Sequence, residues 1–348
     1  MADLNAGAAE VFERCIGMLK RNGPEFIHRI NDAIVMDLGI ENRGSLQAGI
    51  LLAELCMAGL AEISVTPASP LGTSTSLLGI PGSGVFVHGD RIVEACLASQ
   101  YAGWPLATDD YFAMASGPIR MARGREPMLE HIAQRNDQAG PNDQAGPVVG
   151  VLESDKLPTP AAIAQIAKDC AVEPKNIKLA VAQSTSLAGT IQVIARTIET
   201  AMHQLHEQHF DVWQVVSATG WAPLLTPAAD GDTVAGIGRT NDAILYGGQV
   251  EMWCDARDDA LAAAASKIVS QNSTDFGRPF AETFKAYEYD FYKVDPSLFA
   301  PAQVTLHSLR SGRSFTAGKV HPDILARSLG DSRIPADSST PADFRAPA

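Results

Sequence analysis

Between Ser184 and His206 the sequence sets an arginine, a glutamate and two histidines at helical spacing in an otherwise apolar segment. At roughly 100° per residue, Ile191, Ile194, Ala195, Ile198, Met202 and Leu205 fall in one arc, and Gln192, Arg196, Glu199, His203 and His206 in another. Residues three or four apart are neighbours on a helix, so Arg196 can meet Glu199 and Glu199 can meet His203. A carboxylate beside a cation is a candidate acid or base, its pKa raised by withdrawal from water and lowered by the guanidinium. The same spacing also fits a solvated surface pair worth only about 0–1 kcal/mol. Context favours chemistry: an apolar strand precedes the helix, and Ser184, Thr185 and Ser186 form a small polar entry that can cap it.

Strand, polar turn and helix make an α/β unit, and ligands commonly sit where strand ends meet helix starts. The strand here is Lys178 to Ala182, with VVGVLE (Val148 to Glu153) and a helix from Thr159 to Cys170 before it. Farther toward the N-terminus the pattern predicts a helix from Asn5 to Ile30, a strand from Ala33 to Leu38 and a core-facing helix from Gly44 to Leu60. Strand and loop should occupy Ile63 to Gly89, then an apolar helix Ile92 to Tyr101, then Asp109 to Ala115 leading into the turn at Gly117 and Pro118. C-terminal to the candidate helix, Val212 to Ser217 and Ala243 to Cys254 read as strands and Asp258 to Ser270 as a helix. The implied fold is mixed α/β (α+β) with two regions, 1–147 and 148–330, and a tail, 331–348, of disordered composition. The hexamer NDQAGP stands twice between Asn136 and Pro147, a tandem duplication that reads as a surface loop.

Several further groups carry hydrogen-bonding potential. Ser99 to Trp104 (SQYAGW) and Ser116 to Arg120 (SGPIR) are short polar and aromatic turns, and Arg120, Arg123 and Arg125 form a basic cluster, either solvated or suited to an anionic tail. Gly236 to Gly248 (GIGRTNDAILYGG) lacks the third glycine of a dinucleotide fingerprint. It reads as a hairpin-like turn between strands, or as a loop offering Asn241 and Asp242 to a polar heterocycle. No HExxH occurs and His203 with His206 lacks a third ligand, so no metal is expected. A serine nucleophile at Ser184 or Ser186 would lack the GxSxG elbow.

Composition narrows the function classes. The 348 residues are 46% hydrophobic and 19% charged, enough for a sizeable core, and the net charge of -13 argues against nucleic-acid binding. Cys15, Cys56, Cys96, Cys170 and Cys254 are far apart and set among apolar residues, as buried thiols of a reducing cytoplasm would be. The first residues contain no apolar signal core, and Ile63 to Gly89 is too rich in Pro, Gly, Ser and Thr for a membrane helix.

Taken in order, SQYAGW, SGPIR, STSLAGTIQVIARTIETAMH (Ser184 to His203), GRTNDAILYGG (Gly238 to Gly248) and DFYKVD (Asp290 to Asp295) resemble the methenyltetrahydromethanopterin cyclohydrolases, over roughly Asn31 to Ser328. That resemblance implies hydrolysis of the cyclic amidinium of 5,10-methenyltetrahydromethanopterin to the 5-formyl compound, without a prosthetic group. It also implies a cytoplasmic homotrimer with a deep pocket between two α/β-type domains. The family's catalytic arginine and glutamate match Arg196 and Glu199, and their shared helix face makes Glu199 the expected base, with Arg196 holding it and setting its pKa. Gln100, Tyr101, Ser116, Arg120, Thr185, Ser186, Asn241, Asp242 and Phe291 become the expected substrate contacts. Two departures stand out: Gln204 where the family often has lysine, and the doubled NDQAGP. A pterin-binding carrier without catalysis is the competing expectation, disfavoured by the intact Arg196 and Glu199.

Overall fold

A computed structural model describes residues 4–22, 26–66, 82–135 and 146–330. Its strands in chain order are β1 (Ile27–Ile30), β2 (Ala33–Gly39), β3 (Glu62–Thr66), β4 (Gly84–Gly89), β5 (Trp104–Thr108), β6 (Tyr111–Ser116), β7 (Val148–Glu153), β8 (Ile177–Ala182), β9 (Val215–Pro223), β10 (Gln249–Cys254), β11 (Gln303–Ser308) and β12 (Ser314–Gly318). The α-helices are α1 (Leu4–Asn22), α2 (Leu46–Cys56), α3 (Ile119–Arg123), α4 (Pro127–Arg135), α5 (Pro160–Cys170), α6 (Leu187–Ile194), α7 (Thr197–Glu207), α8 (Thr233–Gly247), α9 (Asp258–Ala265), α10 (Phe280–Ala286) and α11 (Pro322–Ser328).

Two six-stranded mixed sheets result, ordered β1-β2-β8-β7-β6-β5 and β12-β11-β10-β9-β4-β3. In the first, β2, β8 and β7 run parallel; in the second, β10 and β11 do. Each sheet takes strands from both sides of residue 147, because β3 and β4 leave the N-terminal half to pair beside β9. The expected α+β class is the one observed.

Alternation along β2 shows how the layers form. Met36 and Leu38 join a central core with α1, α2, α6, α7 and the inner face of the second sheet, whereas Ala33 and Val35 pack the other way with Ile163 and Ile166 of α5. Both faces of the first sheet are thus covered, which is why VVGVLE and IKLAVA are nearly continuous apolar runs. All five cysteines are free and buried.

The elements begin where local chemistry allows. Ser45 caps α2 and Thr159 caps α5, each side chain accepting an amide of the first turn. Some bounds differ from the sequence reading. The described first helix is Leu4–Asn22, and Ile27–Ile30, expected as its last turn, is strand. Val212–Gln214 is a 3-10 turn ahead of β9. The helix after Asp258 ends at Ala265.

The largest correction concerns Gly236 to Gly248, expected as loop and strand but lying almost wholly within α8. Asp232 caps that helix by accepting the Ala235 amide. Gly236 and Gly238 mark close approach, not a turn: a Cβ on Gly236 would lie 2.9 Å from Ser184 Oγ, and one on Gly238 2.8 Å from the Ala281 Cβ. Residues 136–145, holding most of the hexamer repeat, and the tail 331–348 lie outside the described residues. Among the described residues, no helix is long and apolar enough to cross a membrane.

Candidate active site

The expected single helix from Ser184 is two helices with a break at Ala195 and Arg196. Ser186 caps α6 through the Gly189 amide at 3.0 Å. A Cβ on Gly189 would sit 2.0 Å from the Gln183 carbonyl oxygen, so the entry turn closes directly on the helix. At the break, Thr197 Oγ1 donates to the Ile194 carbonyl at 2.7 Å. A threonine hydroxyl that takes a helix carbonyl in this way bends the helix.

The break sends the Arg196 guanidinium inward. It donates to the Gln100 carbonyl at 2.5 Å and to Ser116 Oγ at 3.1 Å, with Cys56 Sγ at 3.7 Å. Gln192 Nε2 reaches the same sulfur at 3.4 Å, and Cys56 Sγ lies 3.2 Å from Ser116 Oγ. All of these side chains are buried. The solvated-pair reading of Arg196 and Glu199 is therefore excluded: they are 8% and 5% exposed.

Sequence reasoning missed what receives that guanidinium. Residues 92–101 were expected as an ordinary helix, yet Val93–Gln100 is a π-helix, closed by the Tyr101 amide on the Cys96 carbonyl at 2.9 Å. Helix C-termini leave carbonyls to be satisfied by other donors, and here arginines do it. Arg196 takes the Gln100 carbonyl, while Arg120, fully buried, takes those of Leu97 and Ser99 at 3.2 and 3.1 Å. The rest of Arg120 forks onto Glu126, through Nε at 3.0 Å and through Nη2.

Neighbouring arginines are also engaged. Arg123 covers the Trp104 ring at 4.6 Å and Arg125 pairs with Asp169 at 3.1 Å. The basic cluster of the sequence thus consists of three separately partnered cations.

Glu199 stands amid this ring, with no guanidinium fork of its own among the described residues. Burial raises its pKa, and the charges of Arg196, His203 and Arg120 lower it in part. Arg196 therefore acts on it through the field, its hydrogen bonds going to Gln100 and Ser116. Tyr101 stacks on His203 at 4.9 Å and lies under Arg120 at 5.0 Å. Glu153, half-buried at the C-terminal end of β7, is a second carboxylate raised by burial and lowered by Arg196. Its place at a parallel-strand end was the signal available for it. Cys56 and Glu126 carried no comparable signal in the sequence.

The profile of the family described as "Cyclohydrolase (MCH)" matches residues 3–329. The chain belongs to this family. It is 51% identical over 332 residues to the methenyltetrahydromethanopterin cyclohydrolase of Rhodopirellula baltica, covering 94% of this chain and 95% of that one. The corresponding protein of Methylobacillus flagellatus is 42% identical, covering 86% and 87%. That of Methanosarcina mazei is 36% identical, covering 96% and 100%.

Not all the residues expected from the cyclohydrolase resemblance gather around Arg196. Gln100, Tyr101, Ser116 and Arg120 do, as described. Ser186 spends its hydroxyl on the chain, donating to the Gln183 carbonyl at 2.8 Å while accepting from Gly189. Thr185 is buried, with an Oγ1 that has no partner among the described residues. Its Cγ2 abuts Gly236, which joins the entry turn to α8.

Asn241, Asp242 and Phe291 have their contacts in a second cluster on α8 and α10. Asn241 Nδ2 bonds back to the Ile237 carbonyl at 2.8 Å. Asp242 is fully buried and accepts the Phe280 amide at 2.8 Å; Phe280 in turn stacks on Phe291 at 5.7 Å. Phe291 is 40% exposed, a ring left partly open to a ligand or a neighbour.

Burial raises Asp242 from 3.8 to about 7. A folded pKa above the unfolded one means that stability is fully present below about pH 4 and is lost as pH rises through about 7. Asp242→Asn removes that charge at constant shape. The variant should melt higher than the parent above pH 7, by up to about 4 kcal/mol at full desolvation, and the difference should vanish toward pH 4. Melting curves across this range check it; a pH-independent difference would mean that Asp242 does not titrate as its burial demands.

Proposed function

We infer that this chain hydrolyses the cyclic amidinium of 5,10-methenyltetrahydromethanopterin to the 5-formyl compound. The observation that carries the reading is a buried carboxylate, Glu199, with raised pKa beside the inward-turned Arg196. Membership of the cyclohydrolase family and the names of the relatives supply the substrate.

The charges suit such a substrate. Arg120 is neutralised by Glu126, so Arg196 stands with Glu199 and Glu153, one cation with two carboxylates. When both are ionised, the site carries a net negative charge to complement a cationic ring. An amidinium carbon is already electrophilic, so catalysis reduces to positioning a water and moving its protons.

Glu199 takes one proton as the water oxygen bonds to that carbon. The tetrahedral adduct then breaks its bond to the leaving nitrogen, which receives the proton from Glu199. The adduct's hydroxyl becomes the formyl carbonyl and releases the second proton. One water is consumed and one proton leaves per turnover.

In this reading the ring lies by Gln100, Tyr101 and Ser116, and the substrate extends past Thr185 and Ser186 toward Asn241, Asp242 and Phe291. No prosthetic group is used, and the enzyme is a cytoplasmic homotrimer, as the resemblance implies. Exposed Tyr289, Phe291 and Tyr292 offer apolar surface of the kind that contacts take up.

The direct test is to add purified protein to methenyltetrahydromethanopterin and follow loss of the amidinium absorbance together with proton release. Equal amounts of substrate consumed and acid produced are expected. Binding of the compound with no loss of absorbance would replace hydrolysis by the carrier reading.

A further inference from the structure

A set of metal-ligating side chains gathers at the edge strand of the first sheet, drawn from two strands and the turn that follows. The β1–β2 register sets His28 opposite Val35. Asp37 lies two residues beyond Val35, so imidazole and carboxylate are diagonal neighbours on one face. Asp37 is 1% exposed and holds the turn leaving β2. Its Oδ1 accepts the amides of Gly39 and Ile40 at 2.9 and 2.7 Å, and its Oδ2 the amide of Glu41 at 2.9 Å. That turn carries exposed Glu41 back toward His28, and one ligand atom from each of the three residues lies within 4.8 Å of the others.

Two valences of the group are unfilled among the described residues. His28 Nε2 is shielded from solvent and has no hydrogen-bond partner among the described residues, an arrangement that is costly to leave unfilled. A carboxylate offers about four lone-pair sites. The amides occupy two on Asp37 Oδ1 and one on Oδ2, which leaves Oδ2 with a free site.

We propose that His28, Asp37 and Glu41 bind one divalent transition-metal cation, of which zinc is the test case. His28 ligates through Nε2, Asp37 through Oδ2 and Glu41 through its exposed carboxylate, with water completing the shell. One imidazole with two carboxylates suits a borderline cation, whereas calcium and magnesium take oxygen alone. Tetrahedral zinc needs ligand atoms about 3.3 Å apart, and exposed Glu41 supplies the contraction. The cation would be a brace rather than a reagent. Its turn touches the segment that opens α6, where Gly39 accepts the Gln183 amide at 3.3 Å and Arg43 accepts the Leu187 amide at 3.0 Å.

The experiment is calorimetric titration of metal-stripped full-length protein with zinc chloride, with melting curves at each saturation. We expect one zinc per chain and a melting midpoint several degrees higher when saturated. H28Q and E41Q should each weaken binding by at least about ten-fold and remove the shift, with hydrolase turnover unchanged because neither residue belongs to the Arg196 cluster. E41Q changes only an exposed side chain, so it stays informative if H28Q fails to fold. No saturable binding up to about 1 mM zinc overturns the proposal. So does binding that is equal in parent and both variants, since the metal would then sit on other histidines.

Discussion

Glu199→Gln is expected to lower kcat by about 10²–10⁴-fold, the range for removal of a positioned acid or base, and to weaken binding of the cationic substrate by much less, since Glu153 keeps one of the two negative charges. Glutamine preserves the shape and can still orient a water, but it cannot take the proton. The same substitution should stabilise the protein. Burial raises the Glu199 pKa, so ionising it inside the fold costs stability as pH rises above the ordinary carboxylate range. A neutral amide avoids that cost, although Arg196 loses part of its countercharge and keeps only Glu153. An inactive variant that melts higher than its parent at pH 7 is therefore the signature of a strained functional carboxylate. Turnover within a few-fold of the parent would remove Glu199 from the role of base, and the water would need another acceptor.

Periodicity made the candidate helix legible because the apolar arc from Ile191 to Leu205 had to face a core. It could not tell where the polar arc would point. That was decided by long-range packing, since the π-helix carbonyls and Ser116, which receive Arg196, come from far earlier in the chain. A local pattern holds no record of such partners. The break at Arg196 was visible only as Thr197, whose hydroxyl competes for the Ile194 carbonyl.

Strands of the first sheet were readable for the converse reason: buried on both faces, β2, β7 and β8 are short apolar runs that can be recognised without knowing which strands they pair with. The failure at α8 is instructive. Gly236 and Gly238 signal loops by propensity, yet here they let a helix approach the 184–185 turn and α10. Glycine serves close backbone approach as well as turns. Asp232, a residue that the sequence reading did not weigh, caps that helix by accepting the Ala235 amide.

Arg196→Ala should move the acid limb of the kcat/KM profile to higher pH and reduce the optimum by roughly 10²-fold. The direction follows from charge: Arg196 is the largest of the influences that lower Glu199, so without it the base stays protonated to a higher pH and hydrolysis waits for its ionisation. The loss at the optimum follows from geometry, because the Gln100 carbonyl and Ser116 Oγ lose their shared donor, and displacements of about 1 Å near a reacting centre cost that much. Arg196→Lys separates the two contributions. An ammonium keeps the charge but not the planar fork that reaches both partners, so the limb should return toward the parent position while the rate stays depressed. If the limb of the alanine variant coincided with that of the parent, Arg196 would be a structural clasp for the π-helix alone. The proton chemistry would then have to be tuned by His203 and Arg120, the other groups that lower Glu199.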